Sequence, residues 1–273
     1  HSAMCLVYAE EHEQAKWVAH IILPDIVNGT ESRSNNFRPD PLIKTGSTND
    51  EDFFLKTKQA NGKYKYDGYG YDRGHLAPSA DFKWSKKALS ESFYYSNMSP
   101  QEPQFNRGKW ADLEGMFREY IVSNPDVQLY MVTGPVLYDT LPKVERSPNK
   151  VSLPEFYYKV AMDLTNNRAI GFVMPNKKLE YPISSYAVSI NEIEKVKPIG
   201  RLVVNVKNVI EGSEVDDLVL ELVLAVRQDL RDLHAVPVGA GELPALPLRP
   251  DHAPGLEDLH PHHAGMAGGR GAV

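Results

Sequence analysis

The amino-acid sequence predicts an α+β fold built around a largely antiparallel sheet. Short apolar runs rich in β-branched and aromatic residues recur through the first 176 residues, as is typical of strands. Helical spacing is clear in only two segments before residue 197, and no regular strand–helix–strand alternation or internal repeat is visible. The chain has 273 residues, of which 42% are hydrophobic, so it can form one large domain or two small ones.

Five segments have the composition and length of strands. The segment 106–123 is predicted as the clearest helix and 185–196 as a second one. The tripeptides TGP and MPN, at the ends of two predicted strands, are most simply turns, although a function of their own is the alternative. The predicted strands are 17–23, 93–100, 128–138, 155–164 and 169–176, and the second of them runs into a loop.

The composition changes sharply after Ile210. From Glu211 onward the chain contains no Lys, Asn, Ile, Phe, Tyr or Trp, and it carries 11 acidic against 4 basic residues. We therefore divide the chain into a first domain, 1–210, and an acidic extension, 211–273. Within the extension, 214–233 is predicted as one amphipathic helix followed by a Pro-, His- and Gly-rich coil. Its histidines, among them His260, His262 and His263, suit either a flexible, solvated end or a metal site.

Charge and cysteine content exclude little. The net charge is −6, but residues 1–210 carry +1, and basic residues outnumber acidic ones between Lys56 and Arg118. A local basic cleft for phosphate groups is therefore permitted. Cys5 is the only cysteine, so an internal disulfide is excluded. No run of about 18 apolar residues occurs, so no membrane span is predicted.

His75 is the first candidate for chemistry. Between residues 13 and 210 the only histidines are His20, inside an apolar strand and predicted to be packed, and His75. His75 ends the sequence Asp72-Arg73-Gly74-His75, in which the glycine would let a ligand approach the backbone. The alternative for this motif is a surface turn closed by a salt bridge.

The helix predicted over 106–123 supplies further polar candidates. At 100° per residue from Asn106, the apolar side chains Trp110, Leu113 and Phe117 form one stripe, and Glu114 and Arg118 lie along its border. Asn106 shares the stripe and needs a partner, either as an N-cap or as a ligand.

Together these residues match the requirements of phosphodiester hydrolysis. A histidine near neutral pH can accept the proton of the attacking water, which here would be the role of His75. A hard cation must stabilise the added negative charge, and Mg²⁺ needs only one or two protein oxygens, such as those of Asn106 and Glu114. Arginines such as Arg73 and Arg118 can clamp phosphate oxygens.

The segments DRGHLAPSAD and SNMSPQEPQFNRGKWADLE resemble the DNA/RNA non-specific endonucleases, and the resemblance spans roughly residues 8–196. It implies a mixed, largely antiparallel sheet with helices on both faces and a ββα-metal (His-Me finger) active site. It also implies cleavage of DNA and RNA to 5′-phosphate and 3′-hydroxyl ends, with Mg²⁺, or alternatively Mn²⁺, as cofactor.

The resemblance implies a role for each matching residue. His75 would be the general base, Asn106 the direct metal ligand, and Glu114 would hold a metal-bound water. Asp72 would brace the motif. Arg33 matches a further phosphate-binding arginine, although Arg38 is close enough to be the alternative. The other implied roles are contact with the reacting phosphate for Arg73, stabilisation of charge in the transition state for Arg118, and ordering of the site for Asn97.

Two other functions remain open at this stage: a catalytically silent nucleic-acid-binding module, and a phosphodiesterase for small molecules or lipid headgroups. Besides DNA and RNA, an inhibitor protein and a second copy of the chain are the partners to consider. We expect export to the periplasm or the cell exterior, with any leader already removed, because a free nuclease endangers its own cell.

Overall fold

The structure is a computed structural model that describes residues 1–166, 168–188 and 193 of the chain. The predicted helix 214–233 and the histidines near the C-terminus lie outside the described residues. The strands and helices are, in chain order, β1 (Met4–Ala9), β2 (Gln14–Ile22), β3 (Phe54–Lys58), β4 (Tyr64–Gly68), β5 (Asp72–His75), α1 (Lys86–Glu91), β6 (Met98–Gln101), α2 (Pro103–Asn106), α3 (Lys109–Ser123), β7 (Leu129–Pro135), β8 (Phe156–Asp163), β9 (Arg168–Pro175) and β10 (Ala187–Val188).

Six strands form the central sheet in the order β1-β2-β7-β8-β9-β10, and each neighbouring pair is antiparallel. Two separate two-stranded ladders, β3-β4 and β5-β6, lie outside it. The predicted α+β class with a largely antiparallel sheet is therefore confirmed. None of the helices in the described part of the chain is long and apolar enough to cross a membrane.

Apolar side chains cover both faces of the sheet, which is why β8 is buried along almost its whole length. Tyr157 and Ala161 of β8 belong to the cluster on the first face, against which α1, α2 and α3 pack. Tyr158, Val160 and Met162 belong to the cluster on the second face, where Ile193 also packs. Since strand side chains alternate, Lys159 points to the first face, among the helices.

Helix α3 packs through the predicted stripe, because Trp110, Leu113, Phe117 and Ile121 are all buried. Its start differs from the prediction. The chain forms the four-residue α2, turns at residues 107–108, and begins α3 at Lys109, with Gly108 at the N-cap position.

The turn depends on glycine, because a Cβ on Gly108 would lie 2.4 Å from the carbonyl oxygen of Gln104. Asn106 therefore ends one helix instead of starting the next. The single helix predicted over 106–123, and the N-cap role for Asn106, are wrong.

Two other predicted segments differ in type. The segment 93–100 contains a 3₁₀ turn, Tyr95–Asn97, before β6 begins at Met98. Of the helix predicted over 185–196, only 185–188 and 193 lie within the described residues, and its start is the end of a 3₁₀ turn, Ile183–Tyr186, and the short strand β10, which pairs with β9. Strand pairing at the sheet edge decides the conformation here, and a single-sequence pattern cannot reveal it.

Candidate active site

Strand β5 is the whole DRGH motif, and it pairs with β6. Alternation along the strand places Arg73 and His75 on one face and Asp72 and Gly74 on the other. A Cβ on Gly74 would lie 2.1 Å from the side chain of Gln101, its diagonal neighbour on β6. The glycine therefore makes room for Gln101, and the expectation that it lets a ligand approach the backbone is wrong.

His75 presents a free imidazole in an apolar setting. Its ring meets Phe93 and Phe37 edge-on, with centroid distances of 5.0 and 5.8 Å. The Nε2 atom is buried and has no hydrogen-bond partner among the described residues. Burial, followed by the positive charges of Arg33 and Arg73, lowers the pKa of His75 to about 3. The ring is therefore neutral at physiological pH and can accept a proton.

Arg73 is held flat against aromatic rings. Its guanidinium carbon lies 3.6 Å from the centroid of Phe37 and 5.1 Å from that of Phe54. One nitrogen, Nη1, donates to Asp50 Oδ1 at 3.1 Å and to the hydroxyl of Tyr95 at 3.2 Å. Stacking and hydrogen bonding fix the plane of the guanidinium and leave its other N–H groups available to a phosphate.

Arg33 approaches the same imidazole from the loop before β3. It donates to Asn35 Oδ1 at 2.7 Å and to Ser79 Oγ at 3.1 Å, and its guanidinium lies 5.0 Å from the ring centroid of Phe93. Burial, and then the charge of Arg73, lower the pKa of Arg33. Two cations whose charges act on each other, without an acidic partner for Arg33 in the described part of the chain, favour binding of an anion.

Arg38, the alternative to Arg33, is occupied elsewhere. Its Nη1 donates to the carbonyl oxygens of Asn36 and Ser90 at 3.0 and 2.9 Å, and its Nη2 donates to Ser90 Oγ. Its guanidinium lies 4.0 Å from the ring centroid of Tyr94. These contacts tie a loop to the end of α1, so Arg33 is the better candidate for phosphate contact.

Asn106 is oriented by the motif itself. Its Nδ2 donates to Asp72 Oδ2 at 2.8 Å, and Arg107 makes a two-pronged contact with the same carboxylate at 2.7 and 2.5 Å. Asp72 therefore occupies a bracing position, linking β5 to the end of α2. Because the amide nitrogen is used, Oδ1 of the half-buried Asn106 is the atom left for a cation, and it makes no hydrogen bond within the described residues.

Glu114 projects from α3 toward a buried lysine. Its Oε1 lies 3.9 Å from Nζ of Lys159, whose side chain is 1% exposed, whereas that of Glu114 is 14% exposed. Burial outweighs the attraction of Lys159 and raises the pKa of Glu114 to about 7. Lys159 also donates to Thr133 Oγ1 at 2.8 Å and to the carbonyl oxygen of Leu76 at 3.4 Å, next to His75.

Arg118, one turn beyond Glu114, belongs to a buried ionic network. It donates to Asp81 Oδ1 at 2.9 Å, and the other carboxylate oxygen of Asp81 lies 2.9 Å from Nε2 of His20. Burial lowers the pKa of His20, so this ring is neutral and donates to Asp81 through Nε2. The expectation that His20 is a packed residue is confirmed.

Asn97 contacts only protein groups. Its Oδ1 accepts from the backbone N–H of Ala77 at 2.9 Å, and its Nδ2 donates to the carbonyl oxygens of Ala77 and Ser92 at 2.9 and 2.8 Å. The side chain is fully buried, and its amide groups are already engaged. Asn97 therefore holds the segment that follows His75, which is a positioning role.

The available donors suit a largely hydrated hard cation. In the described residues no group of three or more His, Cys, Asp or Glu side chains lies close enough to hold a metal ion. Of the two predicted ligands, Asn106 keeps its amide oxygen free and Glu114 has its carboxylate 3.9 Å from Lys159. Mg²⁺ commonly binds through one or two protein oxygens and keeps several waters, so this donor set fits it.

All these groups attach to one ten-residue segment, 72–81. Arg73 and His75 face Arg33, Asp72 holds Asn106, the Leu76 carbonyl accepts from Lys159 beside Glu114, and Asp81 binds Arg118. Sequence reasoning missed Lys159, Asp81 and the Asp50–Tyr95 pair that holds Arg73. A lone lysine inside the apolar run EFYYKVAMDL was a usable signal, since an unpaired charge is rarely buried.

Comparison with known proteins identifies the family. The sequence profile of the DNA/RNA non-specific endonucleases matches residues 1–206. Human mitochondrial endonuclease G is 30% identical over 207 residues, 70% of this chain and 64% of that protein, so the chain spans less than two thirds of its length. A nuclease of Nostoc sp. is 31% identical over 203 residues, covering 70% of this chain and 68% of the other.

A solved structure supports the same assignment. The crystal structure of an EndoG/EndoGI complex, which concerns EndoG inhibition, superimposes with a TM-score of 0.58 at 27% identity, covering 72% of this chain and 81% of that chain. The fold, the motif-bearing strand and these matches lead to one conclusion: this chain belongs to the DNA/RNA non-specific endonuclease family.

Proposed function

We propose that the chain is a metal-dependent, sequence-non-specific endonuclease that hydrolyses phosphodiester bonds of DNA and RNA to 5′-phosphate and 3′-hydroxyl ends. The observation that carries this proposal is the neutral, unpartnered imidazole of His75, whose pKa is lowered by burial and by the nearby charges of Arg33 and Arg73. A base next to two fixed cations suits a reaction in which water attacks an anionic centre.

The arginines bind and orient the phosphate. Arg73 is already immobilised by Phe37 and Phe54, so little of its side-chain entropy remains to be lost on binding. Arg33 approaches the same imidazole from the loop before β3 and completes the phosphate clamp. Because these contacts are made to phosphates, which carry no base information, the proposal also accounts for cleavage without sequence preference.

His75 accepts the proton of the attacking water. In the free protein its low pKa keeps the ring neutral, and a bound phosphate raises that pKa because the two arginines are then partly neutralised. The ring becomes a stronger base when substrate is present, which is when a base is needed. Asn97 maintains this arrangement by fixing the backbone of Ala77, two residues beyond the ring.

Asn106 and Glu114 would hold Mg²⁺, or Mn²⁺ in its place, the amide oxygen directly and the carboxylate through a water molecule. When bound, the cation would stabilise the negative charge that develops on the oxygens of the pentacoordinate phosphorus and on the departing oxygen. Lys159 favours the ionised form of Glu114, and Arg118 adds positive charge on the same side of α3. In this proposal Arg118 stabilises the charge that develops on the phosphate.

Cleavage of supercoiled plasmid and of a long RNA tests the proposal. We expect nicking and then fragmentation with Mg²⁺, none with EDTA, and 5′-phosphates that polynucleotide kinase cannot label until phosphatase has removed them. His75→Ala is the matched control for a contaminating nuclease. Metal-dependent cleavage that persists in that variant would contradict the assignment of the base.

Two further assays separate the other candidates. A catalytically silent binding module would shift the plasmid in a gel without cutting it. Against this candidate, each residue that the chemistry requires is present in this chain. A small-molecule phosphodiesterase would turn over a chromogenic diester faster than DNA. We further propose that a protein inhibitor could cover this site, since the superimposable EndoG was solved with EndoGI.

A further inference from the structure

The β3-β4 hairpin is an exposed arm beside the candidate active site. Each of its residues from Leu55 to Gly68 is exposed, including Tyr64, which is 50% exposed, and Tyr66, which is 57% exposed. Packing is confined to its base, where Phe53 and Phe54 join a cluster with Tyr95. A two-stranded hairpin is marginally stable by itself, so exposed aromatic rings along it favour a binding function over a structural one.

The strand register places the aromatic and basic side chains on one face. Lys56 pairs with Tyr66 and Lys58 with Tyr64, and cross-strand partners share a face. The rings of Phe54 and Tyr66 meet edge-on at 5.3 Å. Nζ of Lys56 lies 4.7 Å from the ring centroid of Tyr64 and 5.7 Å from that of Tyr66. We call this set, Phe54, Lys56, Lys58, Tyr64 and Tyr66, the aromatic-basic face.

The opposite face of the hairpin is different in character. It pairs Leu55 with Asp67 and Thr57 with Lys65, and Asp67 forms a salt bridge with Arg146 at 2.9 Å. The single acidic side chain of the hairpin is thus on the far side and already paired. The aromatic-basic face carries positive charge without any compensating carboxylate of its own, which complements a polyanion.

The aromatic-basic face is continuous with the site. Phe54 lies under the guanidinium of Arg73, at 5.1 Å, and Arg73 shares a face of β5 with His75. From the phosphate clamp, a bound strand would pass Phe54, then Tyr66 and Lys56, then Tyr64 and Lys58. Four residue steps along β3 cover roughly 13 Å at the usual strand rise.

We propose that the aromatic-basic face binds an unpaired DNA or RNA strand flanking the scissile phosphate, with two bases stacked on Tyr64 and Tyr66 and the backbone held by Lys56 and Lys58. The inference rests on the proposed function and extends it to substrate form. Exposed tyrosines interleaved with lysines suit single strands, because the faces of unstacked bases are accessible and every base has one. In a duplex these base faces are hidden, so the arm discriminates between the two forms.

Binding in EDTA separates this inference from catalysis. Fluorescence anisotropy of a labelled oligo-dT of about 20 nucleotides, long enough for one such site, is measured alone and annealed to oligo-dA, with the full chain and four double variants. Tyr64→Ala/Tyr66→Ala removes the rings and Lys56→Ala/Lys58→Ala removes the charges. Lys63→Ala/Lys65→Ala is the matched control, since it removes equal charge from the turn and the far face of the same hairpin.

We expect the tyrosine variant to bind at least about 10-fold more weakly, given typical base–aromatic stacking. Tyr64→Phe/Tyr66→Phe should bind like the parent, because the rings remain. For Lys56→Ala/Lys58→Ala, the slope of log affinity against log salt should fall by about 1.4, the value for two phosphate contacts on a single strand. The control should change affinity about twofold at most in physiological salt, where exposed, distant charges are screened.

The outcomes are distinct. If the parent cleaves DNA but the tyrosine-to-alanine variant binds the single strand as tightly as the parent or the control, the aromatic-basic face is refuted and the proposed function stands. A variant that loses the same affinity for single strand and duplex refutes the preference for unpaired strands. If the parent fails to cleave with Mg²⁺, the proposed function fails, while a ring-dependent loss of single-strand binding still supports the arm. Superimposable thermal unfolding curves establish that the variants are folded.

Discussion

Substitution of the buried Lys159 by methionine tests how Glu114 is kept available for a cation. Methionine keeps most of the side-chain volume but removes both the charge and the hydrogen bonds to Thr133 and Leu76, so the pH dependence of the stability loss is what reports on the ion pair. With Nζ 3.9 Å from Oε1, the direct attraction is about 4 kcal/mol at an effective dielectric constant of 20, as an upper bound. Removing one partner of a buried pair typically costs about 3–5 kcal/mol, because the other charge is left uncompensated.

The sign of the pH dependence follows from Glu114, whose pKa is already raised to about 7 by burial. Loss of Lys159 removes a charge that lowers this pKa, so it rises further. Above pH 7 the folded variant must either ionise an unpaired buried carboxyl or keep a proton that the unfolded chain releases. Its deficit in free energy of unfolding should therefore grow between about pH 6 and pH 8.5.

Urea denaturation at several pH values measures this deficit, and a double-mutant cycle identifies its source. Glu114→Gln removes the carboxylate, so the variant carrying both substitutions should recover at least about 1 kcal/mol relative to the sum of the single losses at pH 8. The Mg²⁺ concentration for half-maximal cleavage should also rise in Lys159→Met. Additive losses at pH 8, with an unchanged metal requirement, would refute the pairing of Lys159 with Glu114.

Four further predictions concern the motif and the metal. The imidazole of His75 should stay neutral down to pH 5 in NMR titrations, because its pKa is about 3, and titration near pH 6.5 would contradict its burial. The stability contributed by the neutral ring should correspondingly be lost as the pH falls below 6.5, because the unfolded chain takes up the proton there. His75→Ala should reduce cleavage by about 10²–10⁴-fold, the usual contribution of a general base, with little loss of stability. Gly74→Ala should lower the free energy of unfolding by about 1–3 kcal/mol, since its Cβ would lie 2.1 Å from Gln101, and adding Gln101→Ala should restore part of the loss if this contact is the cause. Asn106→Ala should raise the Mg²⁺ requirement of cleavage more than it raises KM for DNA, and an unchanged metal titration would exclude Asn106 as the ligand.

The local sequence pattern was sufficient to predict the helices and strands that bury one clear stripe or run of apolar side chains. The helix α3 and strands β2, β7, β8 and β9 lie where their periodicity places them, because burial of these side chains dominates their local free energy. Where tertiary contacts decide, the pattern failed. Gly108 divides the predicted helix because the chain passes close to the Gln104 carbonyl, and β10 pairs with β9 at the sheet edge where the spacing predicts a helix.

The candidate site shows the same division. The residue types, His75 with two arginines, an amide and a carboxylate, could be selected from sequence because the chemistry of phosphodiester cleavage requires them. The residues that hold these side chains in place could not be selected from the sequence. Which arginine faces the imidazole, Arg33 or Arg38, depends on a loop whose aromatic and hydrogen-bond contacts come from the end of α1, the residues just after it, and the segment that follows β5.

The sequence by itself determined the α+β class, the family resemblance and the set of reactive side chains, since these follow from periodicity and from residue chemistry, which are local properties. Only the tertiary structure decided that Gly74 accommodates Gln101, that Lys159 lies beside Glu114, and that the aromatic-basic face continues from Arg73. Such facts depend on distances between residues far apart in the chain. Those distances are set by how the sheet, α3 and the hairpins pack together.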